Sequence, residues 1–93
     1  MASGVSVEKA AVQDGIGCCK VAIHELETAA RNLQRNYQRA GSGGWRAQNY
    51  VDLGGIVEEC SSALLRPVAE LQDCMIRLEE LLKAISDYEM VDL

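Results

Sequence analysis

Residues 41–47 read Gly-Ser-Gly-Gly-Trp-Arg-Ala, and they interrupt an otherwise helical pattern near the middle of a 93-residue chain. Glycine readily adopts the left-handed backbone conformation that ends a helix, so the glycines of this stretch predict a helix stop and a turn. Trp45, within the same stretch, is the only tryptophan of the chain. We therefore expect one helix on each side of the turn.

Before the turn, apolar residues recur at steps of three and four, the spacing that keeps side chains on one face of a helix. Ser6 is the expected N-cap, so the first helix is predicted over about residues 6–40. Its apolar seam consists of Val12, Ile16, Cys19, Ile23, Leu26, Ala30, Leu33 and Tyr37.

After the turn, at about residues 41–46, the same steps continue and predict a second helix over about residues 47–88, with a tail at 88–93. Because the connection is short, the two helices must be antiparallel neighbours. The predicted fold is all-α, an antiparallel two-helix hairpin. The seam of the second helix consists of Tyr50, Leu53, Val57, Cys60, Leu64, Val68, Leu71, Met75, Leu78, Leu82 and Ile85.

The second helix also carries apolar residues outside its seam, namely Ile56, Leu65, Cys74 and Leu81. One seam between two helices barely offsets the conformational entropy lost when such a chain is ordered. A second hairpin would cover the remaining apolar surface. We therefore expect a dimer that forms a four-helix bundle.

The net charge of -5 argues against a nucleic-acid partner, since phosphates are bound by clusters of Lys and Arg. The arginines near the turn (Arg31, Arg35, Arg39 and Arg46) are interpreted as a solvated helix face. No apolar run approaches the roughly 20 residues that span a bilayer. The N-terminal residues also lack the basic and apolar regions of a secretory signal peptide. We expect synthesis in the cytoplasm and secretion without a cleaved signal peptide.

Four cysteines and a single histidine provide no zinc-ligand spacing, so neither a metal nor a cofactor is expected. Cys19 and Cys60 fall on the apolar seams and are interpreted as buried, reduced thiols. Cys18 and Cys74 fall in similar layers, which leaves a disulfide between them open. The chain has no nucleophile with a base, no carboxylate pair in an enclosed site and no phosphate-binding loop. It is therefore not expected to be an enzyme or to bind a small-molecule substrate.

Two short motifs remain: Trp45-Arg46-Ala47 at the turn, and Tyr88-Glu89-Met90-Val91-Asp92 near the end of the chain. With the hairpin pattern and the length, they resemble the WXG family of small proteins of bacterial type VII (ESX-type) secretion. Members of that family are helical hairpins with Trp-x-Gly in the turn, and many carry Tyr-x-x-x-Asp/Glu after the second helix. Here Ala47 replaces the family's glycine, whereas the tail fits the pattern.

The resemblance implies a secreted substrate or co-secretion partner of a type VII system, with Tyr88 and Asp92 as an export signal read by the secretion ATPase. It implies a partner that is a second copy, a related hairpin protein or the helical domain of a larger exported toxin, for which the chain would be an adaptor. A cytosolic helical interaction module and a filament-forming needle subunit are the alternatives. Without the resemblance, Trp45 is a ring that plugs the open end of a hairpin, and Tyr88 with Asp92 is a polar terminal turn.

Overall fold

The computed structural model of the protein describes residues 4–41 and 47–91. Helix α1 spans Gly4–Gly41 and helix α2 spans Ala47–Val91, and these described ranges contain no strand. The predicted fold class is confirmed: the chain is an all-α antiparallel helical hairpin.

Both helices are slightly longer than the sequence pattern predicts. Because α1 begins at Gly4, Ser6 lies inside its first turn, and the interpretation of Ser6 as the N-cap is wrong. Helix α2 contains Pro67 and continues to Val91. No proline or glycine follows Pro67, so nothing in the later sequence opposes the helix. Tyr88 is therefore part of α2 and not of a tail beyond it.

The packing divides into two compact units. Unit 1 comprises Met1–Ile23 and Glu70–Leu93, and unit 2 comprises His24–Ala69. Each unit contains one segment of α1 and one segment of α2, so each is a short antiparallel helix pair in its own right.

Unit 1 is packed with branched aliphatic side chains. Val12 and Ile16 are buried. Gly15 lies against Leu78, so that a Cβ atom at Gly15 would be 3.3 Å from Leu78 Cδ1. Lys9 Nζ lies 3.5 Å from Glu89 Oε2. Residue 9 of α1 thus contacts residue 89 of α2, and residue 15 contacts residue 78. The residue number in α2 falls as the residue number in α1 rises, as antiparallel helices require.

Unit 2 is packed with small residues and a pair of tyrosines. Among the described residues of this unit, Ala30, Val57 and Ser61 are buried. Tyr37 of α1 stacks on Tyr50 of α2, with ring centroids 4.3 Å apart and ring planes 8° from parallel. In this unit the two helices therefore contact each other through stacked aromatic rings. Such a ring pair stabilises the structure beyond the effect of the area it buries.

Each tyrosine of this stack also covers a glycine of the opposite helix. A Cβ atom at Gly41 would lie 2.6 Å from the Tyr50 hydroxyl, and one at Gly54 would lie 2.6 Å from the Tyr37 hydroxyl. Both distances are shorter than side-chain contacts allow, so the missing side chain makes room for the ring. We call this arrangement of Tyr37, Gly41, Tyr50 and Gly54 the tyrosine–glycine clasp.

The seam positions are buried or half-buried along both helices, with one exception. In place of Cys60, which is exposed, its neighbour Ser61 is buried. The interpretation of Cys60 as a buried thiol is therefore wrong. Residues 60 and 61 follow Val57 by three and four positions, and both spacings place a side chain on the same face of a helix. Of the two, the smaller Ser61 occupies the buried position. The seam residues found buried or half-buried are Ile16, Cys19, Ile23, Leu26, Leu33, Tyr37, Val57, Leu64, Val68, Leu71, Met75, Leu78, Leu82 and Ile85.

Candidate functional site

Tyr88 presents an aromatic ring to solvent near the end of α2. Its side chain is 61% exposed. The next residue, Glu89, is paired with Lys9 of α1, which ties this turn of α2 to the start of the chain. A partly exposed ion pair of this kind stabilises by about 0 to 1 kcal/mol. Tyr88 therefore lies on a helical turn that contacts α1 through its neighbour Glu89, and its own ring lies outside the seam. Asp92, the other residue of the predicted signal, lies outside the described residues.

The turn motif is described only at its last residue. Trp45 and Arg46 lie outside the described residues, whereas Ala47 is the first residue of α2 and is exposed. Helical residues have negative φ angles, a conformation that alanine adopts without strain. The alanine at position 47 is therefore compatible with the start of α2.

Large apolar side chains remain exposed along α2. Ile56 is 57% exposed, Leu65 is 43% exposed and Leu81 is 49% exposed, and Cys74 is exposed as well. Val51 and Ile76 of the same helix are also at least half exposed. Singly exposed apolar residues are common on protein surfaces, and these residues lie on more than one side of α2.

A surface groove of about 480 Å³ crosses unit 2 beside Arg31 and Arg35. Arg31 Nη2 donates a hydrogen bond to Thr28 Oγ1 at 3.1 Å. Glu27 lines the same groove, so its wall carries both signs of charge. Both arginines are exposed, as on a solvated helix face. Arg46, the fourth arginine of the predicted face, lies outside the described residues.

The cysteines are all free thiols. Cys18, Cys60 and Cys74 are exposed and Cys19 is half-buried, so the Cys18–Cys74 disulfide left open by the sequence is not formed in this structure. Within residues 4–41 and 47–91, no group of three or more His, Cys, Asp or Glu side chains is placed to hold a metal ion. Neither helix, over its described length, is both long and apolar enough to cross a membrane.

The clasp in unit 2 changes the acidity of one phenol. Partial burial, together with the neighbouring Tyr50 side chain, raises the pKa of Tyr37 above its ordinary value. Both effects favour the neutral phenol over the phenolate.

Sequence reasoning missed the clasp, although the sequence contains a signal for it. Tyr37 precedes Gly41 by four residues, and Tyr50 precedes Gly54 by four residues. In an antiparallel pair, one helical turn between tyrosine and glycine in each helix lets each ring reach the glycine of the other. The repeated Tyr-x-x-x-Gly spacing would therefore have predicted the contact.

Comparison with family models, with curated proteins and with solved structures found no match to this chain.

Proposed function

We propose that this protein is a non-catalytic substrate or co-secretion partner of a bacterial type VII secretion system, with Tyr88 and Asp92 as its export signal. The observation that carries the proposal is the exposure of Tyr88, at 61%, near the end of the second helix of a helical hairpin. The Tyr-x-x-x-Asp spacing and the mid-chain Trp45 supply the resemblance to the WXG family.

The signal works in this proposal as one helical surface. Side chains four residues apart lie on the same face of a helix, and α2 is helical from Tyr88 to Val91, the residue before Asp92. The Tyr88 ring fills an apolar pocket of the secretion ATPase, and Asp92 pairs with a basic group there. A partner with an apolar pocket beside a cation recognises both features at once.

Trp45 contributes in the assembled state. In WXG-family dimers, the turn of one subunit lies near the C-terminal end of the other, so Trp45 and the Tyr88–Asp92 pair form one composite surface. An unfolded or unassembled chain does not present both halves. Export is thereby restricted to folded, assembled protein that leaves without a cleaved signal peptide.

An export assay tests this function. The wild type, Tyr88→Ala and Asp92→Ala are expressed in a bacterium with an active type VII system, and each is quantified in cells and in culture medium. Asp87→Ala, an exposed neighbour outside the motif, is the control. We expect wild type and Asp87→Ala in the medium and the two motif variants retained in cells. Normal export of both motif variants would rule the signal out.

A second function is favoured by the exposed apolar residues of α2, among them Ile56, Leu65 and Leu81. In it, the chain is an adaptor that binds the helical N-terminal domain of a larger exported toxin. Such an adaptor is a poorly stable monomer alone and becomes stable when co-expressed with its partner. A cytosolic interaction module differs from both, because deletion of residues 88–93 leaves its function unchanged.

A further inference from the structure

The tyrosine–glycine clasp holds two of the three tyrosines of the chain against each other. Tyr37 belongs to α1 and Tyr50 to α2, and their ring centroids are 4.3 Å apart with the ring planes 8° from parallel. Both residues are half-buried, so part of the stack is accessible from solvent. The contact stabilises the hairpin, and it also places two oxidisable phenols side by side.

The glycines of the clasp determine where the two rings lie. A Cβ atom at Gly41 or at Gly54 would lie 2.6 Å from the hydroxyl of the tyrosine that covers it. Because glycine has no side chain, each ring reaches the backbone of the opposite helix, and the two rings stack between the helices. The position of both phenols is therefore set by four residues of two helices within unit 2.

We propose that Tyr37 and Tyr50 form an intramolecular dityrosine cross-link when the protein meets a one-electron oxidant, such as a peroxidase supplied with hydrogen peroxide. The bond joins one Cε atom of each ring, the carbons next to the phenolic oxygen. The inference goes beyond the proposed function and does not rest on it, because it concerns the purified protein alone.

The reaction balances with hydrogen peroxide as the terminal oxidant. Each phenol loses one electron and its hydroxyl proton and becomes a phenoxyl radical, whose unpaired electron is shared with the carbons ortho to the oxygen. A carbon–carbon bond then forms between an ortho carbon of Tyr37 and one of Tyr50. Each of these carbons passes its hydrogen to the phenolic oxygen as a proton, which restores both phenols. The two electrons and two protons that were removed reduce one hydrogen peroxide to two waters.

Proximity selects this pair over the third tyrosine. Tyr88 is 61% exposed and is the only tyrosine of unit 1, so in that unit its radical has no tyrosine with which to couple. Groups that are held in contact react as if highly concentrated, whereas coupling between molecules is limited by the protein concentration. At low protein concentration the Tyr37–Tyr50 link therefore forms ahead of any link between chains.

The cross-link changes how the hairpin unfolds. It closes residues 37–50 into a covalent loop across the turn, which restricts the unfolded chain and leaves the folded helices paired. The rings must leave their stack to form the bond, and this loss offsets part of the gain. We expect the equilibrium constant for unfolding to fall by at least about tenfold.

Peptide mapping tests the site of the link. Dilute, full-length protein is treated briefly with a peroxidase and hydrogen peroxide, reduced, and digested with trypsin, which cleaves after Lys and Arg but not before Pro67. We expect a monomeric product with dityrosine fluorescence, in which peptide 36–39 is joined to peptide 47–77 and the pair has lost two hydrogens. Because peptide 36–39 contains no cysteine, this link is not a disulfide.

A matched variant tests whether the stack directs the reaction. The double substitution Tyr37→Phe with Gln38→Tyr keeps three tyrosines and an aromatic ring at position 37, but it moves one phenol about 100° around α1 to an exposed position. We expect about tenfold less of the linked peptide pair from this variant. Tyr88→Phe, which leaves the clasp intact, should give the wild-type yield. Circular dichroism checks that both variants remain helical.

Each outcome decides the proposal. An equal yield of linked peptides from the shifted variant would show that the flexible reach of two phenols, and not the stack, directs the coupling, and this would overturn it. Wild-type protein that forms only covalent dimers through Tyr88 would overturn it as well. Chemical denaturation of the oxidised monomer completes the test: a midpoint below that of untreated protein would show that the link breaks the clasp and does not fasten it.

Discussion

Unit 1 and unit 2 are built from the same two helices, but they hold those helices together in different ways. In unit 1 branched aliphatic residues fill the seam, with Val12 and Ile16 buried and Leu78 lying over Gly15. In the described part of unit 2, Ala30, Val57 and Ser61 are buried, and two stacked tyrosines cover glycines. Aliphatic packing tolerates substitutions that conserve volume, whereas a glycine covered by a ring leaves no room for an added side chain unless the ring shifts. The difference predicts that substitutions at equivalent seam positions have different consequences in the two units.

The largest effect is expected in the aliphatic seam of unit 1. Ile16→Ala removes a buried side chain and leaves a cavity, so the free energy of unfolding should fall by about 2 to 4 kcal/mol. Chemical denaturation followed by circular dichroism at a fixed protein concentration measures this. Val21→Ala, on the same helix but 57% exposed, is the control and should change stability by less than about 0.5 kcal/mol. Equal losses in the two variants would mean that position 16 is not part of a packed seam.

The clasp of unit 2 gives the next largest contrast, between two adjacent glycines. A Cβ atom at Gly54 meets the Tyr37 hydroxyl at 2.6 Å, whereas nothing lies within 4 Å of one at Gly55. Gly55→Ala should raise the free energy of unfolding by about 1 kcal/mol through helix propensity. Gly54→Ala has the same helix-propensity gain, but the Tyr37 ring must shift to make room, at a cost of about 1 to 3 kcal/mol, so the free energy of unfolding should fall by about 0 to 2 kcal/mol in total. Stabilisation by both substitutions would show that the clasp does not constrain the helices.

Most of this architecture could be predicted from the sequence, because helix faces follow directly from the spacing of apolar residues. The error at Cys60 has a definite cause. The apolar pattern predicted that Cys60 is buried because cysteine is less polar than serine. In the structure the buried position one turn after Val57 is occupied by the smaller Ser61. Hydrophobic periodicity predicts which helix face is apolar, but it contains no information on how closely two helix backbones approach each other. For the same reason it missed the clasp, in which the essential residues are glycines.

Ser61 provides a smaller test of packing in unit 2. Its Oγ atom is buried and, among the described residues, has no hydrogen-bond partner. A buried polar atom without a partner is destabilising. Ser61→Ala should therefore raise the free energy of unfolding by about 1 to 2 kcal/mol, including about 0.5 kcal/mol from helix propensity.

Ser62→Ala is the matched control for that change, because Ser62 is the next residue of α2 and is exposed. The Ser62→Ala variant should gain only the helix-propensity contribution to the free energy of unfolding, about 0.5 kcal/mol. If Ser61→Ala destabilises the protein instead, the hydroxyl makes a hydrogen bond that stabilises the native state.

The smallest effect expected is a dependence of stability on alkaline pH, specific to unit 2. The pKa of Tyr37 is raised in the folded state, mainly by burial and further by Tyr50. A raised pKa means that the neutral phenol is favoured by folding, so this contribution is complete below the ordinary tyrosine pKa and is lost as pH rises above it. Thermal unfolding between about pH 9 and 11 should show a steeper loss for wild type than for Tyr37→Phe.

The most direct test of the central claim is to measure export and stability on one variant, Tyr88→Ala. The account assigns packing to the buried seams of both units and recognition to an exposed ring that contributes little to the fold. It predicts that Tyr88→Ala unfolds at the same denaturant concentration as wild type, while the protein accumulates in cells and is absent from the culture medium. A variant that is exported like wild type would contradict the account. Retention accompanied by unfolding would also contradict it, because Tyr88 would then support the structure and not the signal.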